Sequence, residues 1–93
     1  MPSGPSARPI HIDDKITAQL TLRGWTEQQI RETVASPAIG TSTDNTEGRA
    51  DPATVYGSRS GGYVVVNDRT RRVIQISDRT DAGWLPDSRI VWR

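Results

Sequence analysis

The chain has 93 residues, enough for a single folded domain with a small core, since only 33% of the residues are hydrophobic and phenylalanine is absent. It contains no cysteine, which excludes disulfide bonds, thiolate nucleophiles and cysteine-based metal sites. The net charge of +1 argues against a nonspecific electrostatic binder of nucleic acid, although residues 53–93 hold seven Arg against four Asp.

The first ten residues, MPSGPSARPI, are rich in proline, serine and glycine. This composition predicts a flexible linker or an artificial leader over residues 1–10, with the folded domain spanning residues 11–93. No stretch of the chain approaches the roughly 20 apolar residues of a membrane span, so we expect no association with a membrane.

A first helix is predicted over residues 13–22, DDKITAQLTL. One of the two aspartates at its start can cap it, and Ile16 and Leu20 share an apolar face at i, i+4 spacing. Gly24 then offers a left-handed stop.

A second helix is predicted over residues 27–35, because TEQQ (26–29) has the pattern of a capping box. Ile30 and Val34 fall on one face of this helix and are expected in the core. Pro37 blocks a further turn.

The remainder of the chain changes character twice. Residues 38–52 are polar and aperiodic, and we expect a long mobile loop there. From Ala53 the pattern is that of β-strands separated by turn sequences. Four strands are predicted, over residues 53–56, 63–67, 72–77 and 89–93. The fold class is therefore α+β, with two N-terminal helices packed on a twisted antiparallel sheet of about four strands.

The single histidine, His11, has the side chain whose ordinary pKa lies nearest neutrality. It lies between the linker and the first helix, where a surface histidine is the commoner explanation. One histidine supplies neither a two-histidine ribonuclease mechanism nor a histidine-based zinc site.

Three polar side chains, Lys15, Gln19 and Arg23, are spaced at i, i+4 and i+8 and would lie along one stripe of the first helix. An amine, an amide and a guanidinium in this order could hold a phosphate and its neighbouring ribose. An ordinary solvated helix face has the same pattern, and spacing alone favours that explanation.

Two further patterns are weak evidence for a site. The spacing of Asp78, Asp81 and Asp87 matches no calcium-binding loop, and acidic turns beside strands explain it. The segment GSRSGG (57–62) lacks the Lys-Ser/Thr ending of a phosphate-binding loop and precedes a strand. We therefore predict no metal site.

The aromatic residues could serve either the core or RNA. Trp25, beside the second helix, is assigned to the core, whereas Trp84, Trp92 and Tyr56 could stack on unpaired bases. The residues by themselves indicate a small α+β domain with a possible affinity for RNA.

Several long segments carry a more specific signal. They are LRGWT (22–26), DPATVYG (51–57), YVVVNDRT (63–70), QISDRTDAGW (75–84) and DSRI-W (87–92). In this order they resemble the tRNA-cleaving domains of the colicin E5 type, which are the C-terminal toxin domains of colicins and of contact-dependent and other polymorphic toxins. The resemblance covers nearly everything after residue 12.

The resemblance implies a compact fold related to barnase and to toxin ribonucleases. It implies cleavage of tRNA anticodon loops between a wobble guanine or queuosine and the following uridine, in the tRNAs for tyrosine, histidine, asparagine and aspartate. The reaction would need no metal or other cofactor and would leave a 2′,3′-cyclic phosphate. The expected partners are tRNA and a cognate acidic immunity protein. The domain would be delivered as the C-terminal part of a larger toxin and act as a monomer in the target-cell cytoplasm.

The resemblance also implies roles for particular residues. The essential lysine and arginine of the family match Lys15 and Arg23, and its supporting glutamine matches Gln19. Candidate RNA-binding residues are Arg49 and Arg59 for flanking phosphates and Asp87, Arg89, Ile90 and Trp92 for the bases. Two alternatives stay open: a ribonuclease of the same fold with another RNA target, and an inactive module that binds RNA or an immunity protein.

Overall fold

The computed structural model describes residues 9–93 as an α+β fold, which confirms the predicted class. The helices are α1 (Asp14–Gln19) and α2 (Glu27–Val34), and the strands are β1 (Ala38–Asp44), β2 (Asp51–Ser58), β3 (Gly62–Asn67), β4 (Val73–Ile76) and β5 (Val91–Trp92). Among the described residues, all strand pairs in the sheet are antiparallel, in the order β4-β3-β2-β1-β5. No helix in this part of the chain is long and apolar enough to cross a membrane.

The predicted loop over residues 38–52 is wrong, because its first half is β1 and its last residues begin β2. β1 joins β2 to β5, which makes the sheet five-stranded instead of four-stranded. Its side chains are mostly small and polar, and main-chain pairing on both edges holds it in place. At Gly40 the strands approach so closely that a Cβ atom would lie 2.7 Å from the carbonyl oxygen of Val91.

Local signals position the two helices. The carboxylate of Asp13 accepts a hydrogen bond of 3.1 Å from the Ile16 N–H and caps α1. The capping box between Thr26 and Gln29 is present at the start of α2, as predicted. α1 is shorter than predicted, because it ends at Gln19 and the chain then turns through residues 20–24.

The sheet is covered on both faces. On the helix face, α1 and α2 pack against buried strand residues; this core contains Ile10, Ile16, Trp25, Ile30, Val34, Val64, Val66, Val73 and Ile76. The opposite face, called the aromatic face below, carries Ala53, Val55, Tyr63, Val65 and Ile90, with Ile39, Ile74, Trp84 and Trp92 packed against them. Burial on both faces explains why the interior strand β3 is apolar at consecutive positions.

The expected linker falls mostly on residues 1–8, which lie outside the described residues. The predicted boundary after residue 10 is too late, because Ile10 is only 7% exposed and belongs to the helix-face core. The side chain of His11 is exposed, but its main chain pairs with the strand next to it: the Val73 N–H donates to the His11 carbonyl at 2.9 Å. The folded part therefore includes Ile10.

Candidate active site and RNA-binding face

Lys15 lies on the exposed side of α1 and borders a cleft of about 400 Å³. The cleft, called the lysine cleft below, is also lined by Asp44 at the end of β1, Gln75 of β4, and Asp87 and Arg89 of the C-terminal segment. The structure thus brings together three of the residues proposed from the sequence, namely Lys15, Asp87 and Arg89.

A β-bulge shapes one wall of the lysine cleft. Val65 pairs with Gln75 and Val66 pairs with Val73, so Ile74 is an extra residue in β4. A bulge of this kind redirects side chains locally. Ile74 and Gln75 both line the cleft although they are adjacent in sequence.

Arg23 does not continue the stripe of Lys15 and Gln19 along one helix, and this part of the sequence prediction is wrong. α1 ends at Gln19, and Arg23 lies in the turn that follows, where its N–H bonds to the Gln19 carbonyl at 2.9 Å. The helix cannot continue because Trp25 must reach the sheet, where its indole Nε1 donates to the Ser77 carbonyl at 2.8 Å.

The side chain of Arg23 is held at the C-terminal end of β4. Its Nη1 donates a hydrogen bond of 2.8 Å to the Ile76 carbonyl, and its Cζ lies 5.2 Å from the centroid of the Trp84 ring. Lys15 lies near the other end of the same strand, beside Val73 and Ile74. The two candidate catalytic cations therefore border one edge strand at different points along it.

A row of contacting aromatic side chains extends from Arg23 over the aromatic face of the sheet. The Trp84 indole bonds to the hydroxyl of Tyr63, and Tyr63 meets Trp92 edge to face with ring centroids 5.6 Å apart. Arg59 lies over Trp92, with its Cζ 5.2 Å from the ring centroid. Trp84 and Trp92, left undecided by the sequence, are therefore both half-buried on the aromatic face, whereas Trp25 is in the core as predicted.

Asp87 and Arg89 form a local ion pair at the mouth of the lysine cleft. Arg89 Nη2 lies 2.9 Å from Asp87 Oδ2, and the Arg89 N–H donates to Asp87 Oδ1 at 2.8 Å. These hydrogen bonds lower the pKa of Asp87 and raise the pKa of Arg89. Ile90 is only 7% exposed, so any contact of this residue with RNA must come from its main chain.

Sequence reasoning missed a buried polar network beside the lysine cleft. Asn67, 2% exposed at the end of β3, donates to Asp44 Oδ2 at 2.9 Å and to Asp51 Oδ2 at 3.1 Å. The side-chain oxygen Oδ1 of Asn67 accepts hydrogen bonds from the N–H groups of Arg69 and Thr70. The sequence signal was the Asn-Asp pair that ends an otherwise apolar strand.

The same network includes Arg49, a candidate phosphate ligand. Arg49 Nη2 lies 3.8 Å from Asp51 Oδ2, and Arg69 Nη1 lies 3.1 Å from Asp51 Oδ1. The hydrogen bond from Asn67 and then the two arginines lower the pKa of Asp51, against the effect of burial. At Asp44, burial opposes ionisation, but hydrogen bonds from Thr46 and Asn67 outweigh it and lower the pKa.

Comparisons with known proteins agree with the resemblance. The family model described as Colicin E5 ribonuclease domain matches residues 12–89. The chain is 55% identical over 92 residues to Colicin-E5 of Escherichia coli, covering 89% of this chain and 51% of that protein. It is 49% identical over 90 residues to the tRNA nuclease CdiA of Burkholderia pseudomallei, covering 88% of this chain and 7% of that protein. The chain thus spans about half of one relative and a small part of the other. Since the family model covers most of the chain, the chain belongs to the family of colicin E5 ribonuclease domains.

Proposed function

We propose that the domain is a toxin endoribonuclease that cuts tRNA anticodon loops between a wobble guanine or queuosine and the following uridine. Membership of a ribonuclease family and similarity to a protein named tRNA nuclease support this substrate class. The observation that carries the proposal is the placement of Lys15 and Arg23 along β4, beside the lysine cleft and Trp84.

The reaction follows from the groups available. The 2′-hydroxyl of the guanosine loses its proton and attacks the adjacent phosphorus, and the bond to the 5′-oxygen of the uridine breaks as that oxygen takes up a proton. The products are a 2′,3′-cyclic phosphate and a 5′-hydroxyl, and no metal ion takes part. The protein has to orient the phosphate and to stabilise the negative charge that develops on it.

Arg23 is assigned to the charge on the phosphate. A guanidinium cannot accept a proton near neutral pH, but it donates several hydrogen bonds in a fixed plane. One well-placed donor of this kind stabilises a transition state by about 3–4 kcal/mol. Its hydrogen bond to the Ile76 carbonyl and its contact with Trp84 hold the guanidinium in place before the substrate binds.

Lys15 is assigned to the 2′-hydroxyl, and Gln19 to a phosphate oxygen. Lys15 lies at the lysine cleft, while Gln19 is half-buried one turn further along α1. An amine can position the hydroxyl and assist the transfer of its proton, whereas the amide of Gln19 can only donate or accept a hydrogen bond.

Base selection is assigned to the C-terminal segment. The carboxylate of Asp87 can accept hydrogen bonds from a guanine edge, and Arg89 can bind bases or phosphate. The main chain of Ile90 and the ring of Trp92 complete this surface, and Arg49 and Arg59 hold flanking phosphates. The ion pair between Asp87 and Arg89 supports the assignment because it fixes both groups at the lysine cleft.

The partner and the route follow from the same proposal. An acidic immunity protein would cover Lys15 and Arg23 in the producing cell, in place of the anticodon phosphates. The domain would reach the target-cell cytoplasm as the C-terminal part of a larger toxin and act there as a monomer. In support, the matched region makes up only 7% of the CdiA relative.

The proposal is tested with synthetic anticodon stem-loops that differ only at the wobble and middle positions. We expect cutting of loops with guanine followed by uridine, and a cyclic phosphate on the upstream fragment. Equal cutting of all loops would indicate a ribonuclease with another target. Binding without cutting would indicate an inactive module.

A further inference from the structure

A second and larger cleft lies at the hairpin end of the aromatic face. Its volume is about 590 Å³, which is in the range of ligand-binding pockets. It lies between the tip of the β2–β3 hairpin and the segment 77–86, and we call it the hairpin cleft. Its lining includes Arg59, Gly61, Gly62, Arg79, Trp84 and Pro86. None of its lining residues belongs to the lysine cleft.

The two clefts are lined by consecutive residues at one place in the C-terminal segment. Pro86 lines the hairpin cleft, and the next residue, Asp87, lines the lysine cleft. Trp84, whose ring contacts the guanidinium of Arg23, also lines the hairpin cleft. An RNA strand that places its scissile phosphate near Arg23 can therefore continue from the lysine cleft, past residues 86 and 87, into the hairpin cleft.

Two guanidinium groups in the hairpin cleft are available to an anion. Within residues 9–93, neither Arg59 nor Arg79 forms an ion pair with a carboxylate. Each lies over a tryptophan ring, Arg59 over Trp92 and Arg79 over Trp25, the latter at 4.8 Å from the centroid. Stacking of this kind orients a guanidinium while leaving its N–H groups free to bind phosphate.

The two carboxylates of the hairpin cleft are engaged by their own loop. Asp78 Oδ1 accepts hydrogen bonds from the N–H of Thr80 at 2.8 Å and from its hydroxyl at 2.6 Å. Asp81 Oδ1 accepts one from the Gly83 N–H at 2.8 Å. These bonds engage one oxygen of each carboxylate within the loop, and neither carboxylate is paired with Arg59 or Arg79.

The absence of a side chain at Gly62 is what allows Arg79 to lie across the hairpin. A Cβ atom at this position would come within 2.9 Å of Arg79 Cγ and Cδ, and within 3.1 Å of the Trp25 ring. Arg79 also donates from Nη1 to the Gln29 side chain at 3.2 Å. The guanidinium is therefore held from two sides before any ligand binds.

We propose that the hairpin cleft binds the nucleotide immediately 3′ of the cleaved dinucleotide. Its base would lie against Trp84, and its phosphate would be bound by the arginines that line the cleft, Arg79 above all. The direction follows from the assignment of Lys15 to the 2′-hydroxyl, which puts the 5′ nucleotide at the lysine cleft. The inference rests on the proposed ribonuclease function and adds to it a contact outside the cleaved dinucleotide.

The test compares two short RNAs with the same labelled 5′ end and a 2′-deoxyguanosine at the cleavage position, which blocks the reaction. One ends at the uridine, and the other carries one additional 3′ nucleotide. We expect the longer RNA to bind the native domain about tenfold more tightly, measured by fluorescence anisotropy at fixed salt. Arg79→Gln should abolish this gain and leave the affinity for the shorter RNA within about twofold.

Two further variants sharpen the result. Arg79→Lys keeps the charge but not the planar fork, and it should keep part of the gain. Arg31→Gln is the matched control, because Arg31 is an exposed arginine on α2 that pairs with Glu27 at 2.8 Å and lines neither cleft. It should bind both RNAs as the native domain does.

The outcomes separate this inference from the proposed function. Equal affinity of the native domain for the two RNAs overturns the subsite and leaves the ribonuclease proposal intact. An Arg79→Gln variant that loses affinity for both RNAs equally also overturns the subsite. A native domain that binds neither RNA overturns the proposed function together with the subsite.

Discussion

The indole Nε1 of Trp84 donates a hydrogen bond of 3.1 Å to the hydroxyl of Tyr63, a fully buried residue of β3. The same indole ring lies against the guanidinium of Arg23. The cation assigned to the scissile phosphate is therefore supported by a ring that is itself hydrogen-bonded to a buried residue of an interior strand. This makes Tyr63 a positioning residue for Arg23, although it cannot reach the substrate.

Replacing Tyr63 with phenylalanine should lower kcat about tenfold and change KM by less than twofold. The Trp84 ring loses its hydrogen-bond acceptor, and small displacements of a catalytic group reduce the rate strongly. The measurement is steady-state cleavage of an anticodon stem-loop.

The control for Tyr63 is a double-mutant cycle. In a Trp84→Phe background, Tyr63→Phe should have little further effect on kcat, because the bond it removes is already absent. If the two changes reduce kcat independently, Tyr63 does not act through Trp84.

Replacing Asn67 with leucine should destabilise the fold by about 2–4 kcal/mol. The change removes the donor shared by Asp44 and Asp51 and the acceptor for the turn after β3, and it leaves these groups unsatisfied. Urea unfolding measures the free energy. The exposed α2 residue Gln28, changed to alanine, should stay within about 0.5 kcal/mol of the native protein. A similarly small effect of Asn67→Leu would mean that the network contributes nothing to stability.

Acid should unfold the domain through Asp44 and Asp51. Both pKa values are lowered in the folded state, so at low pH the unfolded chain binds more protons than the folded one. The free energy of unfolding should be constant well above the ordinary aspartate pKa of about 3.9 and fall as the pH drops through the folded-state values. Urea titrations between pH 7 and pH 3 measure it. Asp51→Asn should show a smaller acid loss, and an unchanged pH profile would contradict the assignment.

High salt should slow the association of the domain with the acidic immunity protein proposed above much more than it speeds dissociation. Long-range attraction between Lys15, Arg23 and an acidic surface is screened, whereas contacts in the formed complex are screened less. Stopped-flow measurements at low and high salt give both rates. An association rate that is insensitive to salt would rule out mimicry of the anticodon phosphates.

Local hydrogen-bond motifs were predictable from the sequence. The cap at Asp13 and the capping box of Thr26 and Gln29 join residues three positions apart, so the residue types alone specify them. β1 could not be predicted in the same way. Its partners are main-chain groups of β2 and β5, and β5 lies about fifty residues further along the chain.

The positions of the candidate site residues were only partly predictable from the sequence. Lys15 and Gln19 share α1 as expected, but Arg23 leaves the helix because contacts with Ile76 and Ser77, more than fifty positions away, determine the turn. The network around Asn67 likewise joins three strands. Pairings of this range leave no periodic pattern in the sequence.

The most direct test of the central claim is cleavage of purified total tRNA in the presence of EDTA, by the native domain and by Arg23→Ala, with Arg31→Ala as the matched control. We predict cuts after the wobble guanine or queuosine in the tRNAs for tyrosine, histidine, asparagine and aspartate, made by the native domain and the control and lost in Arg23→Ala. Intact tRNA after incubation with the folded native domain, or undiminished cutting by Arg23→Ala, would contradict the account.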